Sequence, residues 1–213
     1  ISGLVSPANS LVGSTVGDQV GDAGVTALTN GNYVVASINW DGTAVDVGAI
    51  TWGNGTAGTT GVVSSANSLV GSSLNDQVGN PYVTALTNGN YVVASLNWND
   101  SAVPVADVGA VTWGSGTTGI SGVVSAAKSL VGSTQNDRVG YGGLTTLTNG
   151  NYVVASITWD NPVGPVANVG AVSYGNGSGG TVGTITAANS VLGTAPSGGG
   201  NITFAFNYSN QTL

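Results

Sequence analysis

Cysteine, histidine, methionine and glutamate do not occur in this sequence, and only Lys128 and Arg138 carry positive charge. Without cysteine there is neither a disulfide nor a zinc–thiolate site, so the redox compartment leaves no trace. Without histidine, cysteine and glutamate, most nucleophile and general-base schemes lack their side chains, and no enzyme is expected. Two cations against nine aspartates, a net charge of −7, cannot build the basic cluster that phosphate neutralisation requires. Nucleic acid is therefore not expected as a partner, nor is an anionic bilayer. No apolar run approaches the ~20 residues of a membrane-spanning helix, and no charged n-region followed by an apolar stretch marks a signal peptide within the sequence. Charged residues make up 5%, where about 25% is usual. Solubility must rest on Asn, Ser, Thr and Gly, a pattern that suits an extracellular or cell-surface β protein. The start at Ile1 and the lack of Met read as a mature product or a fragment of a longer chain.

What the sequence does contain is repetition. LTNGNYVVAS begins at Leu28, Leu86 and Leu147 without a change. SLVGS begins at Ser10, Ser68 and Ser129, DQVG at Asp18 and Asp76, and DRVG at Asp137. VGAITWGNG at Val47 becomes VGAVTWGSG at Val108 and VGAVSYGNG at Val169. One repeat domain over residues 1–213 accounts for this. Its repeats lie at approximately 10–67, 68–128 and 129–189, with a partial one at 190–213. Length differences between copies fall after the first Trp of each repeat, which marks that segment as a loop.

Val, Thr, Ile and Tyr dominate the apolar runs and Gly interrupts every window of helical length, so no helix is expected. Each repeat reads as four strands: VTAL, YVVASINW, VGAITWG and one within GVVSSANSLVG. The Asn30–Gly31 pair predicts a type I′ hairpin turn. In YVVASINW both alternating faces carry apolar side chains, so the strand should be buried on both sides. Repeated four-stranded sheets covered on both faces predict an all-β fold, a β-propeller-type array of antiparallel blades. A β-solenoid is the alternative, and a β-sandwich offers no reason for near-identical copies. The first stretch, ISGLVSPANSLVGS, corresponds to a fourth strand without the three before it. The tail NITFAFNYSNQTL supplies about two more strands.

Laid end to end, the unit GAITWGNGTAGTTGVVSSANSLVGSSLNDQVGNPYVTALTNGNYVVASLNW resembles the FG-GAP repeat of integrin-type propellers. It also resembles the tandem repeats of very large bacterial surface proteins related to filamentous haemagglutinin. The likeness covers nearly all of residues 1–195. It implies a propeller blade and an adhesive or surface role. Calcium-binding FG-GAP blades carry several acidic residues in the turn. Here that turn is Thr29–Asn30–Gly31–Asn32, without a carboxylate, and calcium prefers charged oxygen ligands. No metal or other cofactor is expected.

GNGTAG, GSGTTG and GNGSGG, beginning at Gly53, Gly114 and Gly175, match G-x-G-x-x-G. A dinucleotide site needs that motif to open a helix, and none follows. The repeated aspartates read as acceptors for backbone N–H groups in turns. A glycosidase-type carboxylate pair should be singular, whereas every candidate here has a repeat partner. Trp52, Trp113 and Tyr174 read as packing between repeats. Trp40, Trp98 and Trp159 sit beside polar loops, and with Asp41, Asp100 and Asp160 they form the candidate binding residues. An exposed indole next to Asp and Asn would suit a glycan. Asn54–Gly55–Thr56, Asn176–Gly177–Ser178 and Asn201–Ile202–Thr203 are glycosylation acceptors only in a eukaryotic secretory setting. The sequence thus points to a non-catalytic extracellular structural or adhesive repeat module. Its partners would be other copies of itself or adjacent repeats, in fibres if the exposed edges pair. A lectin with one shallow site per repeat is the alternative.

Overall fold

The computed structural model describes residues 3–164 and 166–201, and the strands expected in the tail lie outside them, as does all but the first residue of the Asn201 triplet. Among the described residues the chain is all-β, apart from a 3-10 turn at Gly198–Asn201. β1 (Leu11–Val12) precedes the first complete repeat, which forms β2 (Val25–Ala27), β3 (Tyr33–Ser37), β4 (Ala49–Gly53), β5 (Gly61–Val62) and β6 (Ser68–Val70). The second repeat forms β7 (Pro81–Ala85), β8 (Tyr91–Ser95), β9 (Ala110–Gly114), β10 (Gly122–Val123) and β11 (Ser129–Val131). The third forms β12 (Gly143–Thr146), β13 (Tyr152–Ser156), β14 (Ala171–Gly175), β15 (Gly183–Thr184) and β16 (Ser190–Leu192).

Each repeat builds one antiparallel meander: β2–β3–β4–β6, β7–β8–β9–β11 and β12–β13–β14–β16. The fourth strand expected within GVVSSANSLVG is in fact two. Its second half, β6, closes the repeat's own sheet on β4. Its first half, β5, leaves that sheet and pairs in parallel with β1, the β6-like strand before it. β10 pairs with β6, and β15 with β11, in the same way. Successive sheets are therefore stitched by two-residue parallel ladders as well as by packing.

The hairpin stands where Asn30–Gly31 placed it, but its turn differs. Only Gly31 has a positive φ, 86°. Leu28 exchanges backbone bonds with Asn32 and Gly31, so three residues span the turn rather than two. A three-residue loop with its last residue left-handed is the next most common hairpin connection.

Both faces of the central strand are buried. Relative exposure is 0% and 8% for Val34 and Val35, 0% for both Val92 and Val93, and 0% and 1% for Val153 and Val154. Leu28, Val34, Ile50 and Leu69 of the first repeat share a core with Tyr91, Val93 and Trp98 of the second. Leu86, Val92, Val111 and Leu130 do the same with Tyr152, Val154 and Trp159 of the third. Burying a Val, Leu or Ile contributes roughly 1.5–3 kcal/mol, so the joints carry much of the stability. Within each sheet the Tyr ring covers the glycine paired opposite it: Tyr33 on Gly53, Tyr91 on Gly114 and Tyr152 on Gly175.

Candidate functional site

The aspartate of each D-(Q/R)-V-G turn is buried. Asp76 accepts the backbone N–H groups of Ser72 and Ser73 at 2.8 Å and of Asn99 at 2.9 Å, plus the Asn99 amide at 2.8 Å. Asp137 accepts from Ser133, Thr134 and Asp160. Asp18 accepts from Ser14, Thr15 and Asp41. Each carboxylate thereby pins the loop after SLVG to the residue following the next Trp. Burial holds the Asp76 and Asp137 carboxyls above their ordinary value despite those bonds. Burial pushes the same way at Asp18, but there the bonds from Thr15, Ser14 and Asp41 win and the carboxyl lies below it.

The candidate binding aspartates are also tied to backbone. Asp41 Oδ1 accepts the Asp46 N–H at 2.8 Å, and Asp160 Oδ1 accepts the Asn168 N–H at 2.6 Å. The second repeat fills this role with Asn99, which accepts from Asp107 at 2.9 Å. Asp100, one position later, instead accepts from Ala102 within its own loop. Asp41 and Asp160 are thus equivalent to each other and Asp100 is not. Among the described residues no three acidic groups converge.

Trp40, Trp98 and Trp159 are 6%, 2% and 1% exposed, so none offers an open ring face for stacking. A Cβ added at Gly42 would lie 2.7 Å from Trp40 Cζ3, so the polar loop folds across the indole. Each of these Trp residues nonetheless lines a cleft. One of ≈ 460 Å³ holds Trp40, Asp41 and Ser64, one of ≈ 560 Å³ holds Trp98, Asp100 and Ser125, and one of ≈ 300 Å³ holds Trp159, Asn161 and Thr186. Asp160 does not line the third. The Nε1 groups of all three are buried without a hydrogen-bond partner among the described residues. Native proteins leave few buried polar groups in that condition.

The most constructed site is the joint at the G-x-G-x-x-G loop, a role that sequence reasoning missed. The Gly116 carbonyl accepts three donors from the preceding repeat: Asn30 Nδ2 at 2.8 Å, Asn32 Nδ2 at 2.8 Å and Trp52 Nε1 at 3.0 Å. The Gly177 carbonyl accepts from Asn88, Asn90 and Trp113 at 2.8, 2.8 and 2.9 Å. Meanwhile the N–H groups of Gly116 and Gly177 donate to Asn90 and Asn151 of their own repeats, each at 2.9 Å. A Cβ on either glycine would strike the Gly89 or Gly150 carbonyl oxygen at 1.7 Å. The middle glycine of the motif serves close backbone approach to the hairpin turn of its own repeat, which leaves its carbonyl facing the donors of the preceding one. Trp52 and Trp113 pack against these joints as expected. In the third repeat the Trp is Tyr174, whose hydroxyl accepts from Asn151 Nδ2. The one available signal was coincidence: TNGN, Trp and G-x-G-x-x-G recur together.

The chain belongs to the family described as a repeat of unknown function (DUF5650), whose model matches residues 1–22, 27–80, 85–141 and 146–199. No curated protein matches the chain.

Proposed function

We propose that this chain is a non-catalytic structural and adhesive repeat module of an extracellular or cell-surface protein, with its sheets arranged as propeller-type blades. The carrying observation is how the side chains capable of chemistry are engaged. Asp18, Asp76 and Asp137 hold turns, and Asn30, Asn32 and Trp52, with their copies in the second repeat, hold the neighbouring repeat. Groups saturated by internal bonds are poor nucleophiles and poor proton shuttles. The resemblance to tandem repeats of bacterial surface proteins supports the same reading, with further repeats or other copies as partners and fibres as one form of assembly. The test is a chain in which residues 68–128 are duplicated in tandem. Nearest-neighbour coupling predicts a higher melting temperature with each added repeat. A hydrolytic activity on polysaccharides that Asp41→Asn abolishes would overturn the reading.

A lectin is the second reading. It is favoured by the three clefts, each lined by one of Trp40, Trp98 and Trp159 together with polar loop residues. Glycan-array binding that weakens in Asp41→Ala and Asp100→Ala variants supports it; an array without signal ends it.

A further inference from the structure

Two indoles in this protein rest in seats built by the following repeat. Trp52 lies on Gly119, where an added Cβ would come within 2.6 Å of the Trp52 Cβ, and Trp113 lies on Gly180 at 2.8 Å. Their Nε1 groups reach the Gly116 and Gly177 carbonyls three residues earlier. The corresponding positions of the first repeat are Gly58 and Gly55, and that loop has the same shape. Gly58, Gly119 and Gly180 have φ of 76°, 72° and 79°. Their N–H groups close the loop on Asn54, Ser115 and Asn176 at 2.8, 2.8 and 2.7 Å. The Gly55 N–H is held by Asn32 at 3.0 Å, as its two counterparts are held. No described residue lies within 4 Å of a Cβ built on Gly58. Gly58 and Tyr33 instead line an open cleft of ≈ 440 Å³ together with Asn9, Ala57 and Thr59. Tyr33 is half-buried there, whereas Tyr91 and Tyr152, beneath the indole-bearing strands, are 0% and 1% exposed.

We propose that this cleft binds a tryptophan side chain presented by a further repeat of the same family, the indole N–H donating to the Gly55 carbonyl. The inference rests on the structural-module reading and names its partner. The loop is already in the geometry that Trp52 and Trp113 meet, so binding requires little reordering. A sheet stacked in the same register would also bring two carboxamides to that carbonyl, as Asn30 and Asn32 do at Gly116.

The test uses the full chain, isotope-labelled, titrated with N-acetyl-tryptophanamide. Saturable shifts are expected at Gly55, Gly58 and Tyr33, with a dissociation constant on the order of 1 mM, and none at Gly116 or Gly119. N-acetyl-phenylalaninamide, which lacks the donor, should bind at least about fivefold more weakly, the loss of a typical hydrogen bond. Ala57→Arg, at an exposed position on the rim, should weaken binding at least about tenfold. Absence of saturable shifts up to about 20 mM overturns the proposal, and so does equal binding of the two amides, which needs no protein variant. Either failure leaves the repeat-duplication result untouched, so the two readings fall separately.

Discussion

The same residues meet different surroundings at the start of the stack and inside it. Tyr91 and Tyr152 are sealed beneath the repeat before them, while Tyr33 lies half-buried. Val83 and Leu144 are half-buried, whereas Val25 at the same position is 64% exposed. Even the turn aspartates diverge, Asp18 lying below its ordinary value and Asp76 and Asp137 above theirs. Local sequence is nearly constant across these positions, so the difference comes from the neighbour. In this molecule burial is a property of a repeat's position, and stability should follow position too.

Substitutions at equivalent positions probe this, and the largest effect belongs to the tyrosines. Tyr91→Ala opens a sealed core and should cost about 3–5 kcal/mol. Tyr33→Ala should cost roughly half as much, because less surface leaves water there. Urea denaturation of the two variants checks it, and equal losses would break the comparison. Next comes the indole donor: Trp113→Phe keeps most of the packing but removes one of three bonds to the Gly177 carbonyl. A loss of about 1–2 kcal/mol is expected from the thermal midpoint. Smaller still, Asn88→Ala should cost about 1 kcal/mol. Asn149→Ala should cost less, since no described residue accepts from its side-chain amide.

The smallest effect is a pH dependence of opposite sign at two equivalent carboxyls. Asp76 is raised on folding, so its contribution is fully present below the unfolded value of 3.8 and is lost as pH rises through the folded value. Asp18 is lowered, so its contribution is present above 3.8 and is lost as pH falls through the folded value. The destabilisation caused by Asp76→Asn should therefore grow on acidification, and that caused by Asp18→Asn should shrink. Chemical denaturation across the carboxylate range reads both slopes.

Much of the sheet was legible in LTNGNYVVAS. Its Asn–Gly marked the hairpin, and apolar residues on both faces of YVVAS marked a strand covered twice. The invariance of the decapeptide also has a residue-level account. Asn30 and Asn32 reach the next repeat, Tyr33 covers Gly53, and the Ser37 hydroxyl accepts the Gly21 N–H at 3.0 Å. The parallel stitch was not legible, because a two-residue strand such as β5 carries no periodicity and its partner lies some fifty residues earlier. The burial of Trp40 was hidden for a different reason. Its polar neighbours implied solvent, but Gly42 lets the loop lie flat on the ring. Asn99 was overlooked because matching Asp with Asp drew attention one residue along, to Asp100, whereas an amide oxygen accepts the Asp107 N–H equally well.

Among the described residues one ion pair occurs, Arg138 with Asp107 at 3.6 Å, and both partners are substantially solvated. Mobile ions weaken cohesion chiefly by screening such pairs, and here there is almost nothing for them to screen. The fold should be as firm in brine as in fresh water.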